Sequence, residues 1–282
     1  VAIVACLPKT AWPPTCTNTD REIFRFGREG RGVCEFYYPF FLVNSFAYDS
    51  LIIYDSPAAT LTKIDLAALV ESRDIAKCAN SEHLYRNLNF MYNFNKVDSA
   101  FIGTFIEKDE GLFSFCNRNN GEIKNTDYVP YYFYEKGRKD AYCHHVLVSE
   151  KDNSIIVPFK YMNLINCYDL DGNLKVTYAL DWIKEEINTQ IRVDEHTTVT
   201  FYRTYATRNR CYLVWDGHKI EEELRKYPAK IVVMNWQGEL EKVYQLDNFA
   251  DFIIPDEKQR MIYVGVYNAG LEFVEIYKYP ML

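Results

Sequence analysis

Adjacent histidines, His144 and His145, form a pair with obvious chemical potential, and they lie at the start of an apolar run. Imidazole nitrogens bind divalent metals and transfer protons near neutral pH. Successive side chains of a strand point to opposite faces, so only one of the two rings would face a given site. A metal would also need ligands from other strands. The pair therefore favours two ordinary strand histidines over a metal site.

One acidic motif, Asp169–Asn173, reads Asp-Leu-Asp-Gly-Asn and is similar to the start of a calcium-binding loop. It lacks the third spaced ligand and the distal glutamate that such a loop uses. Asp-Gly places glycine where a tight turn needs a positive φ. The motif therefore predicts a hairpin turn rather than a calcium site.

Aromatic side chains cluster at two places, Tyr37-Tyr38 and the run that contains Tyr131, Tyr132 and Tyr134. Exposed tyrosines could stack on a sugar or clamp a peptide, whereas buried ones would be core. Core packing is the favoured interpretation. Aromatics make up 16% of the chain, and such residues favour the half-buried surface of a sheet.

Three glycines, Gly27, Gly30 and Gly32, precede Glu35 in a segment where the backbone can turn sharply. Strands follow it rather than a helix, so it does not match a dinucleotide-binding fingerprint. Glu35 is expected to brace a turn, with ligand binding as the alternative. The candidate ligand-binding residues are Glu35, Tyr37, Tyr38, Tyr131, Tyr132, Tyr134, His144 and His145.

Catalytic motifs of the G-x-S-x-G, H-E-x-x-H and P-loop types do not occur, so no catalytic residue is assigned. A metal-dependent hydrolase or lactonase remains an alternative, with a divalent ion such as calcium on the axis of a propeller. Its candidate ligands recur near one repeat position: Asp98, His145, Asp152 and Asn209. Asp and Asn are also favoured in turns, which is the preferred interpretation.

Composition excludes some partners. The formal net charge is −7, and no run of Lys or Arg could neutralise a row of phosphates, which argues against nucleic acid. No apolar stretch reaches the roughly 18 residues of a membrane-spanning helix. The eight cysteines form no C-x-x-C pair. Cys116, Cys143, Cys167 and Cys211 lie in or beside apolar runs and are expected to be small core residues.

A repeat supplies the elements that must position these residues. An apolar strand, a turn with Asp or Asn, and a second apolar strand recur about every 50 residues, and this period is typical of propeller blades. A third strand follows most copies, often before Asn-Gly or Asp-Gly. The paired strands are 39–43 with 51–54, 90–94 with 100–102, 145–148 with 155–157, 199–202 with 211–214, and 249–254 with 261–264.

The fold expected is an all-β propeller of four-stranded antiparallel sheets, with six blades favoured and five as the alternative. Residues 1–282 are expected to form a single domain, because no linker-like segment interrupts them. Glu22–Phe26 could complete the C-terminal blade as its outer strand. Short helices are predicted within 61–77, 181–190 and 217–227.

The segment Phe26–Phe36 resembles a motif of the six-bladed, TolB-like propeller proteins of Bacteroidota, with Gly27, Gly30, Gly32, Glu35 and Phe36 at the matching positions. Val33 stands where that family has proline. The resemblance implies a cell-envelope protein at the periplasm or cell surface. It also implies that the protein is secreted or lipid-anchored. Val1–Leu7 is too short for a whole signal peptide, so we expect either that processing removed an N-terminal segment, which could carry a lipid anchor, or that the sequence is a fragment of a longer reading frame.

The function predicted from these observations is a non-enzymatic binding or scaffold module of the bacterial cell envelope. Loops at one end of the propeller would bind a protein, peptide or glycan. A repeated β architecture without a catalytic motif motivates this prediction.

Overall fold

The computed structural model describes residues 2–6, 11–16, 29–30, 34–42, 50–105, 111–126, 145–180, 193–222, 227–268 and 273–281. They divide into two compact units. Unit 1 comprises residues 1–107 and 116–123, and unit 2 comprises 108–115 and 124–282. The N-terminal strands β1 (Ala2–Cys6) and β2 (Ala11–Cys16) pair with each other as a two-stranded sheet.

Five further sheets follow one another along the chain, and in each sheet consecutive strands are hydrogen-bonded neighbours. The first contains β3 (Pro39–Phe41), β4 (Ser50–Asp55), β5 (Thr60–Asp65) and β6 (Ala79–His83). The second contains β7 (Met91–Lys96), β8 (Ala100–Phe105), β9 (Ser114–Asn117) and β10 (Ile123–Asn125). The third contains β11 (Leu147–Ser149), β12 (Ser154–Pro158), β13 (Leu164–Tyr168) and β14 (Leu174–Ala179). The fourth contains β15 (Thr198–Ala206), β16 (Arg210–Lys219), β17 (Lys230–Asn235) and β18 (Leu240–Gln245). The fifth contains β19 (Phe252–Asp256), β20 (Met261–Asn268) and β21 (Phe273–Pro280).

This order of strands is that of propeller blades, so the predicted all-β propeller class is confirmed. The described residues form five blade sheets, and a sixth is not confirmed. The fifth sheet has three strands within the described ranges. Its proposed fourth strand, Glu22–Phe26, lies outside them.

Turn chemistry explains why the outer hairpins close where they do. The Asp169 carboxylate accepts from the backbone N–H groups of Asp171 (3.1 Å) and Asn173 (2.9 Å), and Gly172 has a φ of 86°. The Asn235 side chain accepts in the same way from Gln237 and Glu239, beside Gly238. Asp169 is therefore a turn residue, as the sequence predicts.

Two of the predicted helices need correction. Residues 61–65 belong to strand β5, and the helices α1 (Leu66–Ser72) and α2 (Ile75–Cys78) begin only after it. The Asp65 carboxylate sets this boundary by accepting from Ala68 N–H at 2.9 Å, as an N-cap. The prediction for 217–227 was wrong at its start, because β16 continues to Lys219 and a turn follows. The prediction for 181–190 lies outside the described residues.

The core of unit 1 is aromatic. The rings of Tyr54 and Phe94 stack at a centroid distance of 4.2 Å, and Phe101 stacks on Phe94 at 5.1 Å. Leu61, Leu88 and several other apolar residues surround these rings. The aromatic richness of the sequence is therefore used, in this unit, to fill the space between strands.

In unit 2, the first strands of the last three sheets, β11, β15 and β19, are neighbours. Val214 and Ile231 of the fourth sheet share an apolar cluster with Ile253, Ile262 and Val264 of the fifth. Because these sheets pack face to face, residues near the start of β11 lie close to β15, and residues of β15 lie close to β19. Five cysteines whose side chains the structure describes are buried and free, as expected of small core residues: Cys34, Cys78, Cys116, Cys167 and Cys211.

A matched pair of leucines tests this core. Leu213 of β16 is 0% exposed, whereas Leu240 of β18 is 50% exposed. Leu213→Ala is expected to lower the free energy of unfolding by about 2–5 kcal/mol, and Leu240→Ala by less than about 0.5 kcal/mol. Urea unfolding followed by tryptophan fluorescence measures both. Equal losses for the two variants would contradict the assignment of β16 to the interior.

Candidate functional site

The hairpin of β15 and β16 contains two irregularities in its register. Val199 pairs with His218, Phe201 with Trp215, and Arg203 with Val214. Strand β16 therefore has one extra residue on one side of the Phe201–Trp215 pair, and β15 has one extra residue on the other side. Such β-bulges redirect side chains and are frequent beside functional sites. Asp216 and Gly217 both fall opposite Thr200, and Tyr202 is the extra residue of β15.

Gly217 is required at its position for two reasons. Its φ is 70°, a conformation that other residues rarely adopt. A Cβ atom there would also lie 2.0 Å from the indole ring of Trp215. The Trp215 ring therefore lies against the Gly217 backbone, and the bulge brings Asp216 and His218 into the interior of the unit.

Asp216 is 4% exposed, and neither carboxylate oxygen has a hydrogen-bond partner among the described residues. Burial raises the pKa of this carboxyl to about 7, against the opposing effects of the Arg203 and Lys160 cations, while Asp251 raises the pKa further. A buried carboxyl that accepts no hydrogen bond lowers the stability of the folded protein, so its presence suggests a role other than folding.

His218 repeats this pattern two residues later. Its ring is 1% exposed, and its Nδ1 atom finds no partner within the part of the chain that the structure describes. Burial lowers the pKa of the imidazole, and the Lys160 ammonium lowers it further, while Glu222 acts in the opposite direction. The ring is thus held neutral. The indole Nε1 of Trp215 is likewise buried without an acceptor among the described residues.

Lys160 comes from the loop between β12 and β13. The Thr200 N–H donates to the Lys160 carbonyl at 2.7 Å, and the Thr200 hydroxyl lies 2.8 Å from the carbonyl oxygens of Phe159 and of Met162. These bonds fasten the loop to β15. The Lys160 ammonium lies over the rings of Tyr161 (4.8 Å) and Tyr202 (5.3 Å).

Arg203 supplies a second cation. Its guanidinium lies 3.9 Å from the centre of the Tyr202 ring and donates to the Tyr202 hydroxyl at 3.1 Å. Its Nε donates to the Asp251 carbonyl at 2.9 Å. The Asp251 carboxylate in turn accepts from Tyr267 N–H at 2.6 Å. The guanidinium is therefore held in place by carbonyl and phenol oxygens.

We call Lys160, Arg203, Trp215, Asp216 and His218 the Asp216 cluster. All of its members belong to unit 2 and are carried by β15, β16 and the β12–β13 loop. It offers unpaired acceptors and donors next to two cations. This combination can bind a polar ligand. The His218 imidazole and the Asp216 carboxyl, whose pKa is about 7, can also exchange protons.

Among the predicted residues that the structure describes, His145 is the one that lies beside this cluster. Its Nε2 lies 3.0 Å from the carbonyl oxygen of Tyr202, so Nε2 carries the proton that it donates. The bond holds the bulged residue of β15. His145 is therefore placed as a positioning residue, and its role as a ligand contact stays a prediction.

The other predicted residues do not lie in the Asp216 cluster. Glu35, Tyr37 and Tyr38 belong to unit 1, where the Asp55 carboxylate accepts from the N–H groups of Tyr37 (3.1 Å) and Tyr38 (2.8 Å). The Tyr38 ring is 50% exposed and packs edge-on against Phe40. Tyr131, Tyr132, Tyr134 and His144 lie outside the described residues.

The residues considered for a metal have other roles where the structure describes them. Asp152 and Asn209 occupy the turns of the β11–β12 and β15–β16 hairpins, where they bond to Ser149 and to Glu257. His145 stands at the opposite end of β11 from Asp152, and Asp98 lies in a turn of unit 1. No group of three or more metal-ligating side chains occurs within the described ranges.

Sequence reasoning missed Asp216 and His218. The available signal was Gly217 inside a strand-like run that begins at Cys211, since an isolated glycine in a strand indicates a bulge. The burial of a carboxyl group has no counterpart in the sequence pattern. Two of the cluster's polar groups also come from separate elements, Lys160 and Arg203, which only the fold brings close to Asp216.

No family model and no curated protein matches this chain. Among solved structures, a member of the DUF4221 family from Bacteroides vulgatus aligns with 95% of this chain and 86% of its own, at 13% identity and a TM-score of 0.59. This likeness supports the fold alone.

Two weaker similarities carry no further argument. A putative exported protein from Bacteroides fragilis aligns at 7% identity and a TM-score of 0.47, covering 90% of this chain and 73% of its own. A catalytically inactive virginiamycin B lyase from Staphylococcus aureus, solved with quinupristin, aligns at 12% identity and a TM-score of 0.43, covering 95% and 77%. No helix in the described parts of the chain is long and apolar enough to cross a bilayer.

The pKa of Asp216 has a consequence for stability. An unfolded Asp has a pKa of about 3.9, whereas the folded value is about 7. The folded protein therefore holds a proton that the unfolded chain has lost between these values, and stability falls as pH rises through that window. Asp216→Asn is expected to stabilise the protein at pH 8, by up to about 4 kcal/mol, with a gain that shrinks toward zero near pH 4.

Urea unfolding at both pH values measures this effect. Asp247→Asn, at an exposed turn position, is the matched control and should change stability little at either pH. An Asp216→Asn variant that is less stable than wild type at pH 8 would show that the carboxylate has stabilising partners.

Proposed function

We propose that the protein is a non-enzymatic binding module of the bacterial cell envelope, and that it binds a small polar ligand at the Asp216 cluster. The observation that carries the proposal is the buried Asp216 carboxyl, whose two oxygens have no donor in the described structure. A ligand that donates to both oxygens would supply the missing partners.

Buried polar groups without hydrogen bonds reduce the stability of the folded protein. Leaving a buried polar group without a hydrogen bond costs about 1–3 kcal/mol, and more for a charged group. Three residues within a four-residue stretch of β16, Trp215, Asp216 and His218, have such a group among the described residues. Local rules of folding are commonly broken at functional sites, where stability is lost in exchange for binding.

The contacts around the cluster hold it ready for a ligand. The loop that carries Lys160 is fastened to β15 by Thr200, and Arg203 is fixed by Asp251 and Tyr202. Rigid support of this kind reduces the entropy that a ligand would otherwise have to overcome. The cluster also lies away from the β15–β16 turn at Asn209, toward the end of the strands where the β12–β13 loop is found.

Proton transfer is the second candidate function, and one observation favours it. A pKa of about 7 for Asp216 is the value at which a general acid or base works best near neutral pH. The metal-dependent hydrolase considered from the sequence receives no such support, because its four candidate ligands lie at separate turns and strand ends.

The location and organisation belong to the same proposal. We place the protein at the periplasm or cell surface, as a single TolB-like propeller domain over residues 1–282. The support is the glycine segment Phe26–Phe36 and the sequence of propeller sheets. The partner is a small molecule, peptide or glycan rather than nucleic acid, in keeping with the net charge of −7.

A ligand screen tests the proposal. Thermal-shift measurements on the wild type with sugars, sugar acids, amino acids, organic acids and short peptides are expected to identify a stabilising ligand. Asp216→Asn should weaken its binding at least tenfold, since an amide cannot accept at both positions. Asp247→Asn, on the surface, should bind as the wild type does.

Two outcomes count against the proposal. Ligands that bind the wild type and Asp216→Asn equally well would place binding elsewhere. Conversion of a ligand by the wild type but not by Asp216→Asn would replace the non-enzymatic function with the acid–base one.

A further inference from the structure

We propose, building on the function above, that the ligand is an acidic sugar, with its carboxylate at Lys160 and Arg203 and its hydroxyl groups at Asp216 and His218. Two cations that have no carboxylate partner among the described residues lie beside a buried pair of acceptor oxygens, and this juxtaposition points to an acidic sugar. The cations, the buried acceptors and the aromatic rings of the cluster each argue against a different class of ligand.

The two cations of the Asp216 cluster form hydrogen bonds and ring contacts with uncharged groups. The ammonium of Lys160 lies over tyrosine rings, and the guanidinium of Arg203 donates to carbonyl and phenol oxygens. Neither forms an ion pair with a described carboxylate, whereas Arg210 in the same unit pairs with Glu241 and Glu257. An anionic group on the ligand would provide the missing counter-charge, preferably for the planar guanidinium in a bidentate manner.

A cationic ligand is disfavoured by the same two residues. Lys160 and Arg203 are both close enough to Asp216 to lower its pKa, so an amine or guanidine placed on that carboxyl would meet two like charges. The Lys160 ammonium also acts on His218. A ligand that approaches Asp216 should therefore bring neutral donors to it.

Hydroxyl groups are the neutral donors that fit best. The two Asp216 oxygens are adjacent acceptors, and His218 Nδ1 lies two residues along the same strand. A hydroxyl can both donate and accept, so it can satisfy the carboxyl in either protonation state and the imidazole in either tautomer. Neighbouring hydroxyls of a sugar ring supply such a pair.

The aromatic rings of the site favour an acidic sugar over a neutral one. The Tyr202 ring has Arg203 at 3.9 Å and Lys160 at 5.3 Å, and Lys230 lies 4.8 Å from the Trp215 ring. Rings that already carry cations offer less surface for stacking on a sugar. Charge, rather than stacking, is thus the main source of affinity.

The experiment uses matched pairs of sugars and calorimetric titration at pH 7 and low salt. Glucuronate and galacturonate are compared with glucose and galactose, with acetate for the charge alone and with glucosamine for the opposite charge. At least one uronate is expected to bind tenfold or more tightly than its neutral parent, than acetate and than glucosamine. The preference should shrink as salt screens the charges.

Two variants divide the site. Lys160→Met should reduce uronate affinity toward that of the neutral sugar, while Asp216→Asn should weaken both. Lys175→Met, which removes an exposed lysine of β14, should leave all affinities unchanged. Circular dichroism spectra that match the wild type would show that the variants are folded.

The results separate this inference from the proposed function. Neutral sugars or glucosamine that bind as tightly as the uronates would overturn the ligand class. So would an unrelated ligand from the screen that depends on Asp216 while no uronate binds, although the binding function would then stand. If no ligand depends on Asp216, both proposals fail.

Discussion

The structure around the candidate site depends on the offset pairing of β15 with β16. A regular antiparallel pair would place alternate residues on opposite faces throughout its length. The two bulges beside the Phe201–Trp215 pair interrupt this alternation. Gly217 provides the positive φ that the bulge in β16 needs. Buried polar side chains can therefore occupy a strand whose earlier part, Cys211–Val214, is uniformly apolar.

That apolar part of the strand supports the polar part. Tyr212 and Val214 pack within a cluster that links the fourth and fifth sheets. Cys211 and Leu213, which alternate with them along β16, are fully buried as well, so both faces of this part of the strand are covered. Thr200 fastens the β12–β13 loop from the other side, and His145 holds the carbonyl of Tyr202. Packing of the sheets stabilises a strand in which Trp215 Nε1, both Asp216 carboxylate oxygens and His218 Nδ1 have no hydrogen-bond partner among the described residues. A less well-packed unit would relax around them.

Much of the fold could be predicted from the sequence. Short apolar runs and the Asp-Gly or Asn-Gly turns between them place the hairpins correctly, because both signals act over a few residues. The predicted boundaries of helices and strands were less accurate where one element directly follows another. The spacing of Leu61, Ile64, Leu66 and Leu69 suits a helix, yet the first two belong to β5 and the last two to α1, with the Asp65 cap between them.

The candidate site could not be predicted in the same way, for two physical reasons. The burial of Asp216 is a property of packing between distant segments, and a lone Asp in a sequence more often marks a turn. The glycine that signals the bulge also suits the start of an inserted segment, and residues 217–227 were accordingly assigned to a helix. His145 was selected for its chemistry, but its observed contact is with a backbone carbonyl of a neighbouring strand. Only the spatial arrangement distinguishes these roles.

The central claim is that Asp216 is a buried carboxyl whose oxygens accept no hydrogen bond from the described residues. The most direct measurement is a carbon-13 NMR titration of its carboxyl group, assigned by comparison with Asp216→Asn. A titration midpoint close to pH 7, shifted when a ligand is added, is the result that the structure predicts. A midpoint near the ordinary aspartate value of about 3.9 would contradict it, because the carboxylate would then be solvated or paired.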